Sequence, residues 1–212
     1  MNGPSGTARA QSSSRYRKST VTHFSRVVAS VGGQSEYDIH MQTFIALLRA
    51  VNVGGTGKLP MAELRSMAEA AGFTDVRTYI QSGNLVFSSS DELPVVRQAL
   101  EKRLEDYAGK PVGVLLRTAK EMRNVLEANP FRGAEPSKVG VLFLDASPPA
   151  DTVRTAKGQV EEEIALGQRE VFIHYPSGMG RTKLRLPALS AMPGGTTRNI
   201  NTVAKLVEMA GS

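Results

Sequence analysis

The chain of 212 residues contains no cysteine and only three histidines, His23, His40 and His174. The absence of cysteine excludes disulfides, thiolate nucleophiles and cysteine-held zinc or iron–sulfur clusters, and it fits a reducing compartment. Three scattered histidines leave almost no material for a histidine metal site or a Ser-His-Asp triad. No apolar run reaches the roughly 18 residues of a membrane-spanning helix. We therefore expect a soluble protein with no metal site and no membrane partner.

Acidic residues are also absent from residues 171–207, where the chain carries five cations, Arg181, Lys183, Arg185, Arg198 and Lys205. Cations without acidic neighbours favour an external anion. The same stretch holds two Gly-containing loops, residues 177–180 and 194–195, each leading towards an expected helix start. Free N–H groups and the helix dipole favour negative charge at such a position. The sequence therefore predicts a site for a phosphate-sized ligand in this stretch.

The net charge of +6 is divided evenly along the chain. Residues 1–40 carry five basic and two acidic residues, and the remaining chain carries 21 and 18. The first forty residues are rich in Ser, Gly, Arg and Thr and lack a hydrophobic period, which is typical of disorder. An over-extended start or a dispensable leader explains them better than a transit peptide, and a secretory signal is disfavoured because no apolar core follows the charges.

Hydrophobic patterning predicts an α+β fold. The first unit, residues 41–130, contains a strand, a helix, a hairpin, a helix and a strand, which is the βαββαβ order of a ferredoxin-like unit. We place these elements at residues 43–51, 60–71, 75–81 with 84–88, 92–107 and 112–117. A further helix at 119–128 ends at the Asn129-Pro130 break.

The second unit, residues 131–212, repeats this order imperfectly. It contains an expected strand, a helix, a strand pair and two helices, without a clear closing strand. These elements are placed at residues 139–145, 150–157, the neighbourhood of 164 with 170–175, 182–191 and 198–210. The predicted architecture is thus two ferredoxin-like halves, of which the second is incomplete.

Three stretches resemble a widespread bacterial family of unknown function: LLRAVNVGG at 47–55, TYIQSGN at 78–84 and TTRNINTVAKL at 196–206. The resemblance covers residues 41–210. It implies a fold of two ferredoxin-like halves and a cytoplasmic bacterial protein, and it implies no established activity. Ile200 departs from the family pattern, which usually has an aromatic residue there, commonly Trp. If that ring stacks on a ligand, the site of the present chain is weaker or altered.

The loop at residues 52–58, with Gly54, Gly55 and Lys58, follows a strand and precedes a helix, as phosphate-cradling loops do. It is not a Walker motif, because that pattern requires Gly at position 52 and Ser or Thr at position 59. A flexible turn with a solvated lysine is the alternative. Arg49 lies in the preceding apolar strand, where a cation needs a partner, and an intramolecular salt bridge is the expected one.

The second candidate set is Arg181 and Lys183 in the loop after the strand ending at Tyr175, together with Thr197, Arg198 and Asn199 at the expected helix start. Arginine grips phosphate oxygens as a fork and lysine acts as a point charge. A cation in the first turn of a helix conflicts with the dipole, and a bound anion would resolve that conflict. The alternatives are a solvated basic turn and ordinary threonine capping.

Other residues favour structural roles. Tyr79 and Phe87 on the hairpin fit base stacking less well than core packing, because no RNA-binding aromatic signature accompanies them. His174 has no evident partner, and the triplet at residues 161–163, three consecutive glutamates, fits a solvated face or a partner for the basic loops.

The sequence thus predicts a protein that binds a phosphate-containing small molecule or nucleotide through basic Gly-rich loops and a helix N-terminus. A nucleic-acid-binding protein and a non-enzymatic interaction module remain as alternatives. The ligand, any cofactor, any catalytic residue and the oligomeric state stay unassigned.

Overall fold

The computed structural model describes residues 40–49 and 59–211. These residues form a mixed α+β fold with two four-stranded antiparallel sheets and four α-helices. The predicted leader and the Gly-rich loop at 52–58 lie outside the described residues, apart from His40. The regular elements are β1 (Gln42–Leu48), α1 (Met61–Ala70), β2 (Thr74–Tyr79), β3 (Asn84–Ser89), α2 (Leu93–Ala108), β4 (Val114–Thr118), α3 (Ala119–Glu127), β5 (Val139–Phe143), β6 (Glu163–Leu166), β7 (Glu170–His174), β8 (Thr196–Asn199) and α4 (Ile200–Gly211).

The first half, β1 to β4, has the predicted βαββαβ element order, and its strands lie in the order β2-β3-β1-β4. Alternate residues of β1 face opposite sides of this sheet, as the two-residue period of a strand requires. Phe44, Ala46 and Leu48 pack with the buried side chains of α1 and α2, whereas Ile45 and Leu47 face the second half. The first sheet is therefore covered on both faces.

The second half, β5 to β8, has the equivalent strand order β6-β7-β5-β8. The helix predicted at residues 150–157 is wrong, because this segment forms hydrogen-bonded turns. The hydroxyl of Thr152 donates to the carbonyl of Pro149 at 2.7 Å, and that of Thr155 donates to the carbonyl of Asp151 at 2.9 Å. Threonine hydroxyls that bond nearby backbone in this way compete with helix formation.

The helix predicted at residues 182–191 is also wrong. Arg185 forms an antiparallel bridge with Lys157, so the backbone around it is extended, and a short 3-10 turn at Pro187–Leu189 follows. Exposure alternates along this segment: Lys183 and Arg185 are exposed, while Thr182, Leu184 and Leu186 are half-buried. Such alternation is typical of an extended segment with one face against a core. This segment covers the outer face of the second sheet, whereas α1 and α2 cover the outer face of the first sheet.

A closing strand that the sequence analysis missed is present as β8. Residues 196–199 were expected to begin a helix, but they pair with β5 in a register that places Thr196 opposite Phe143 and Thr197 opposite Leu142. Two consecutive threonines favour a strand, because β-branched side chains fit a pleated surface. The helix α4 follows directly at Ile200.

The two sheets share a central core with α3 and α4. Leu115, Phe143, Phe172, Val203 and Leu206 belong to this cluster and are at most 2% exposed. Ile200 is 5% exposed in the same cluster. Position 200, where the family that the sequence resembles usually has an aromatic side chain, therefore faces the core in this chain.

A buried arginine in the first half is hydrogen-bonded to residues of the second half. Arg117 in β4 is fully buried, and its Nη2 donates to the carbonyl of Leu144 at 2.8 Å and to Glu170 Oε1 at 3.1 Å. Burial, which disfavours the charged form, lowers the pKa of Arg117, and the nearby positive charge of Arg169 adds to this effect. The ion pair with Glu170 opposes the shift and joins the two sheets across their interface.

Candidate functional site

Residues 171–207, which we call the acid-free stretch, have three exposed cations on the segment that follows β7. They are Arg181, Lys183 and Arg185. None of them makes an ion pair with another residue in the described part of the chain. The predicted surplus of positive charge is therefore present at the surface of the second half.

The glutamate triplet fixes this segment in place. Glu161 accepts a hydrogen bond from the hydroxyl of Ser177 at 2.8 Å, Glu162 accepts one from the hydroxyl of Thr182, and Glu163 pairs with His174 Nδ1 at 2.8 Å. The Thr182 hydroxyl and the backbone N–H of Val160 hold the pKa of Glu162 at about 2. The acids thus hold hydroxyls and an imidazole of the basic region, which leaves its exposed lysine and arginines without acidic partners.

Gly158 allows the turn that follows Lys157 to approach closely the extended segment that carries Lys183 and Arg185. Its φ is +68°, and a Cβ atom there would lie 2.3 Å from the carbonyl oxygen of Lys183. Both conditions exclude an ordinary side chain, because the left-handed region and a sub-van der Waals contact would each impose strain. Glycine at this position therefore sets the location of the Lys183 backbone.

The closest backbone pairing between the segments joins two residues of the same charge. Lys157 N donates to Arg185 O at 2.9 Å, and Arg185 N donates to Lys157 O at 2.8 Å. Residues that exchange both hydrogen bonds project their side chains to the same side of the ladder. Like charges placed directly opposite each other are destabilising. An anion between the two side chains would offset that repulsion. We call the surface formed by Lys157, Arg181, Lys183 and Arg185 the basic face.

A shallow, open groove of about 360 Å³ lies between this segment and the outer face of the second sheet. Leu184 and Leu186 line it, whereas Lys183 and Arg185, which alternate with them along the chain, are exposed on the other side of the segment. Its lining residues are Leu142, Ile173, Tyr175, Leu184, Leu186, Leu189, Ser190 and Thr197.

Tyr175 is a fixed part of the groove floor. Its ring packs over Gly140, where a Cβ atom would lie 3.0 Å from the ring carbon Cε2. Burial, with a contribution from the charge of Glu162, raises the pKa of Tyr175 to about 12. The phenol therefore stays protonated at neutral pH and can donate a hydrogen bond.

Arg198 does not join the basic face, contrary to the sequence-based expectation. It is 6% exposed, and Nη2 donates to the carbonyls of Leu48 at 3.0 Å and Ser82 at 2.8 Å, while Nε donates to Asn84 Oδ1 at 2.5 Å. Further bonds reach Gly83 and Thr196. Desolvation lowers the pKa of Arg198 to about 10, so it remains charged at neutral pH. Its donors are taken by the protein, and the expected dipole conflict disappears because β8 is a strand.

Asn199 likewise has internal partners. Its Nδ2 donates to the carbonyls of Pro136 at 3.2 Å and Ser137 at 2.8 Å, and its Oδ1 accepts from the N–H of Asn201 at 2.9 Å. The last contact is the bond of an N-cap to the second helical residue. The helix is thus capped, but by Asn199 and not by the threonines, and only Thr197 of this set reaches the groove.

The remaining candidates divide between confirmed and undescribed residues. Gly54, Gly55 and Lys58 lie outside the described residues. The expected salt bridge of Arg49 is confirmed, because its Nη2 contacts Asp145, which also lies 3.1 Å from Arg97. Phe87 is fully buried and stacks on Phe73 with 4.4 Å between ring centroids, in agreement with core packing.

Sequence reasoning missed Lys157 and the groove. Lys157 belongs to the site only through its backbone pairing with Arg185, which is 28 positions away and leaves no local trace. The groove had a visible signal in the alternation Thr182-Lys183-Leu184-Arg185-Leu186. That alternation indicates an extended segment and argues against the helix predicted at residues 182–191. Within residues 40–49 and 59–211, no three His, Asp or Glu side chains converge as a metal site would require.

The fold and the site define a two-sheet α+β protein with a basic surface on its second half. The chain belongs to the family described as "Protein of unknown function (DUF1697)", whose model matches residues 41–172. Its fold is similar to that of the conserved bacterial protein SP0830 from Streptococcus pneumoniae. The two chains are 26% identical with a TM-score of 0.65, over 80% of this chain and 99% of the other. No curated protein matches the chain. None of the described helices is long and apolar enough to cross a membrane.

Proposed function

We propose that this protein binds a phosphate-bearing small molecule, a class that includes nucleotides, on its basic face. The observation that carries the proposal is the hydrogen-bonded pair of Lys157 and Arg185, which places two cations opposite each other without an acidic partner among the described residues. A phosphate group accepts several charge-assisted hydrogen bonds at once, and an arginine fork matches its oxygens.

The support is a combination of charge and fixed geometry. The backbone that carries Lys183 and Arg185 is held by two hydrogen bonds to Lys157 and by the close approach at Gly158. A ligand therefore meets cations whose main chain is already ordered, so binding costs less conformational entropy than it would on a free loop. The nearby hydroxyls of Ser177 and Thr182 donate hydrogen bonds to Glu161 and Glu162. The proposal therefore concerns binding alone and assigns these hydroxyls no catalytic role.

The test is calorimetric titration of pyrophosphate into the full-length protein and into the double variant Lys183→Gln with Arg185→Gln. Exposed cations contribute up to about 1 kcal/mol each, so we expect Kd to rise about 30-fold in the variant. The control is Arg65→Gln with Lys110→Gln, which removes the same charge from exposed positions in the first half and should leave Kd unchanged.

Three results would contradict the proposal. If both double variants weaken pyrophosphate binding equally, the effect is one of net charge and not of this face. If the parent binds a single-stranded oligoribonucleotide with strong salt dependence but does not bind pyrophosphate, the nucleic-acid alternative replaces the proposal. If neither probe binds, the interaction-module alternative remains.

A further inference from the structure

Strand β6 is an outer strand of the second sheet, and among the described strands it pairs only with β7. The N–H of Gly167 donates to the carbonyl of Glu170 at 2.7 Å, which fixes the hydrogen-bonding phase of this pair. The backbone groups of Ile164 and Leu166 therefore point away from β7, towards the free edge of the sheet. They have no hydrogen-bond partner within the described part of the chain. β6 thus presents a regular row of unpaired donors and acceptors.

The other three sheet edges are protected. β2 contains a bulge. In β4, the outward N–H groups of Val114 and Thr118 donate to glutamate side chains at 2.9 and 2.8 Å. In β8, the carbonyl of Thr197 accepts a hydrogen bond from Arg198 at 3.0 Å, and the chain continues directly into α4. Bulges and side-chain bonds of this kind oppose pairing with another strand. The β6 edge therefore differs from the rest in being open to association.

The side chains of β6 suit pairing with a second copy of the same strand. Ile164 and Leu166 lie on one face of the sheet, because a strand has a two-residue period, and Leu166 is 37% exposed. In an antiparallel pair centred on Ala165, Ile164 of each copy lies opposite Leu166 of the other. Residues that both point to the shared edge exchange both backbone hydrogen bonds, and apolar cross-strand neighbours stabilise the pair.

The charges along β6 favour this antiparallel arrangement. Glu161 and Glu163 are exposed at its N-terminal end, and Arg169 follows its C-terminal end. Parallel pairing would place the glutamates of two copies side by side, and like charges opposite each other are destabilising. Antiparallel pairing brings the acidic end of one strand to the end of the other that leads to Arg169. This guanidinium binds Glu121 at 2.6 Å and keeps 31% of its side chain exposed.

We infer that this protein forms a two-fold symmetric dimer through β6, in which the second sheets of two copies join into one continuous antiparallel sheet centred on Ala165. A two-fold dimer uses the same patch on both copies, and it is the commonest closed assembly of soluble proteins. The backbone bonds of the open edge provide the attraction, and the side chains set the register. The inference does not depend on the proposed function.

Cysteine cross-linking of the full chain tests the register. The protein contains no cysteine, so one introduced thiol reports one contact. Ala165→Cys places the thiols of two copies in a pair that is not hydrogen-bonded, with Cα atoms about 4.5 Å apart, which suits a disulfide. Gln168→Cys, at an exposed position in the turn after β6, is the control, because these residues of the two copies would lie about 20 Å apart. Mild oxidation should link Ala165→Cys into a dimer and leave Gln168→Cys monomeric.

Sedimentation velocity over a concentration series tests the association itself. The parent should show a monomer–dimer equilibrium. Leu166→Glu removes apolar cross-strand contacts and adds a carboxylate near the glutamates of the other copy, so we expect the dimer Kd to rise about tenfold. Val95→Glu makes the same change on α2, where the side chain is 52% exposed, and should leave Kd unchanged. Thermal unfolding of each variant verifies that the fold is retained.

Three outcomes would overturn the inference. A parent that stays monomeric at every concentration has no such interface. Equal cross-linking of Ala165→Cys and Gln168→Cys would indicate random collision. A dimer that is unaffected by Leu166→Glu, and that Ala165→Cys does not link, uses another surface.

Discussion

Replacement of Arg198 by methionine tests whether this residue is a structural link between the sheets or a ligand residue. Methionine keeps much of the apolar stem and removes the guanidinium. The variant leaves the carbonyl of Ser82 and the side-chain oxygen of Asn84 without their present donor. The carbonyls of Leu48 and Gly83 keep a second donor, the hydroxyl of Thr196 and the N–H of Leu48 respectively. Since Asn84 is fully buried, water cannot easily replace that donor.

The magnitude follows from two opposing effects. A buried acceptor that loses its partner costs about 1–3 kcal/mol, and two such acceptors are involved. Removal of a desolvated charge offsets part of this cost. Burial disfavours the charged form of Arg198, and it lowers the pKa of this residue to about 10. We therefore expect Arg198→Met to lower the free energy of unfolding by about 2–4 kcal/mol.

Urea denaturation measures this change, with the m-value as a check that unfolding remains two-state. Arg154→Met is the control, because that side chain is 78% exposed and pairs only with Asp151 at 3.5 Å. Its effect should stay within about 0.5 kcal/mol. The structural interpretation of Arg198 is refuted if its variant loses less than about 1 kcal/mol of stability while pyrophosphate binding falls tenfold. Arg198 would then be a ligand residue, as the sequence alone suggested.

Three further perturbations act on other parts of the second half. The pKa of Glu162 is depressed to about 2 in the folded protein. The stability that this carboxylate contributes is therefore fully present above its pKa in the unfolded chain, about 4.5, and is lost as the pH falls towards 2. Urea unfolding at pH 5 and pH 3 should show a smaller decrease in the free energy of unfolding for Glu162→Gln than for the parent. Gly158→Ala places a Cβ 2.3 Å from the carbonyl of Lys183 and should cost about 1–3 kcal/mol in the same assay while weakening pyrophosphate binding. Arg117→Met leaves Glu170 buried without its partner and should cost about 3–5 kcal/mol, whereas adding Glu170→Leu should recover part of this loss.

Each of these predictions has a matched control or a contrary outcome. Glu105→Gln, at an exposed helical position, should leave the acid dependence of unfolding unchanged. Gly133→Ala should have little effect, because a Cβ atom at Gly133 meets nothing within 4 Å. If Gly158→Ala is as mild as Gly133→Ala, the two basic segments are not held as closely as described. If the double variant at Arg117 and Glu170 is less stable than Arg117→Met alone, their pairing is not the source of the cost.

The first half could be predicted from sequence because its signals are local. The continuous apolar run of β1, apolar spacing in α1 and the Ser82-Gly83-Asn84 turn each specify an element without reference to the rest of the chain. Thr118 is an example at a boundary, since it forms a capping box with Glu121 at the start of α3. Element type and order therefore followed directly.

The second half could not be predicted equally well, because tertiary pairing determines its extended segments. The bridge between Lys157 and Arg185 selects an extended backbone over a helix, and β8 gains its strand geometry by pairing with β5. Neither partner is visible from local periodicity. The same limit applies to the candidate site, where the sequence indicated a surplus of cations but not the side of the molecule that each one faces.

Burial separates the cations of the acid-free stretch into two groups with different effects. Arg198 points from the second half into the first, where it donates to carbonyls of the β1 end and of the turn before β3. Arg117 makes the reciprocal contact from β4 to Leu144 and Glu170. Each half thus satisfies oxygens of the other, which explains why the stretches TYIQSGN and TTRN, far apart in sequence, meet in the fold.

Lys183 and Arg185 have no such internal acceptors among the described residues. Their backbone is fixed, yet their charged groups remain exposed to solvent. This arrangement is expected of residues that bind an external ligand and not of residues that stabilise the fold. The two groups therefore predict opposite results: loss of Arg198 should reduce stability, with any loss of binding secondary to it. Loss of Lys183 and Arg185 should reduce binding and leave the free energy of unfolding unchanged or raised, because the repulsion between Arg185 and Lys157 is relieved.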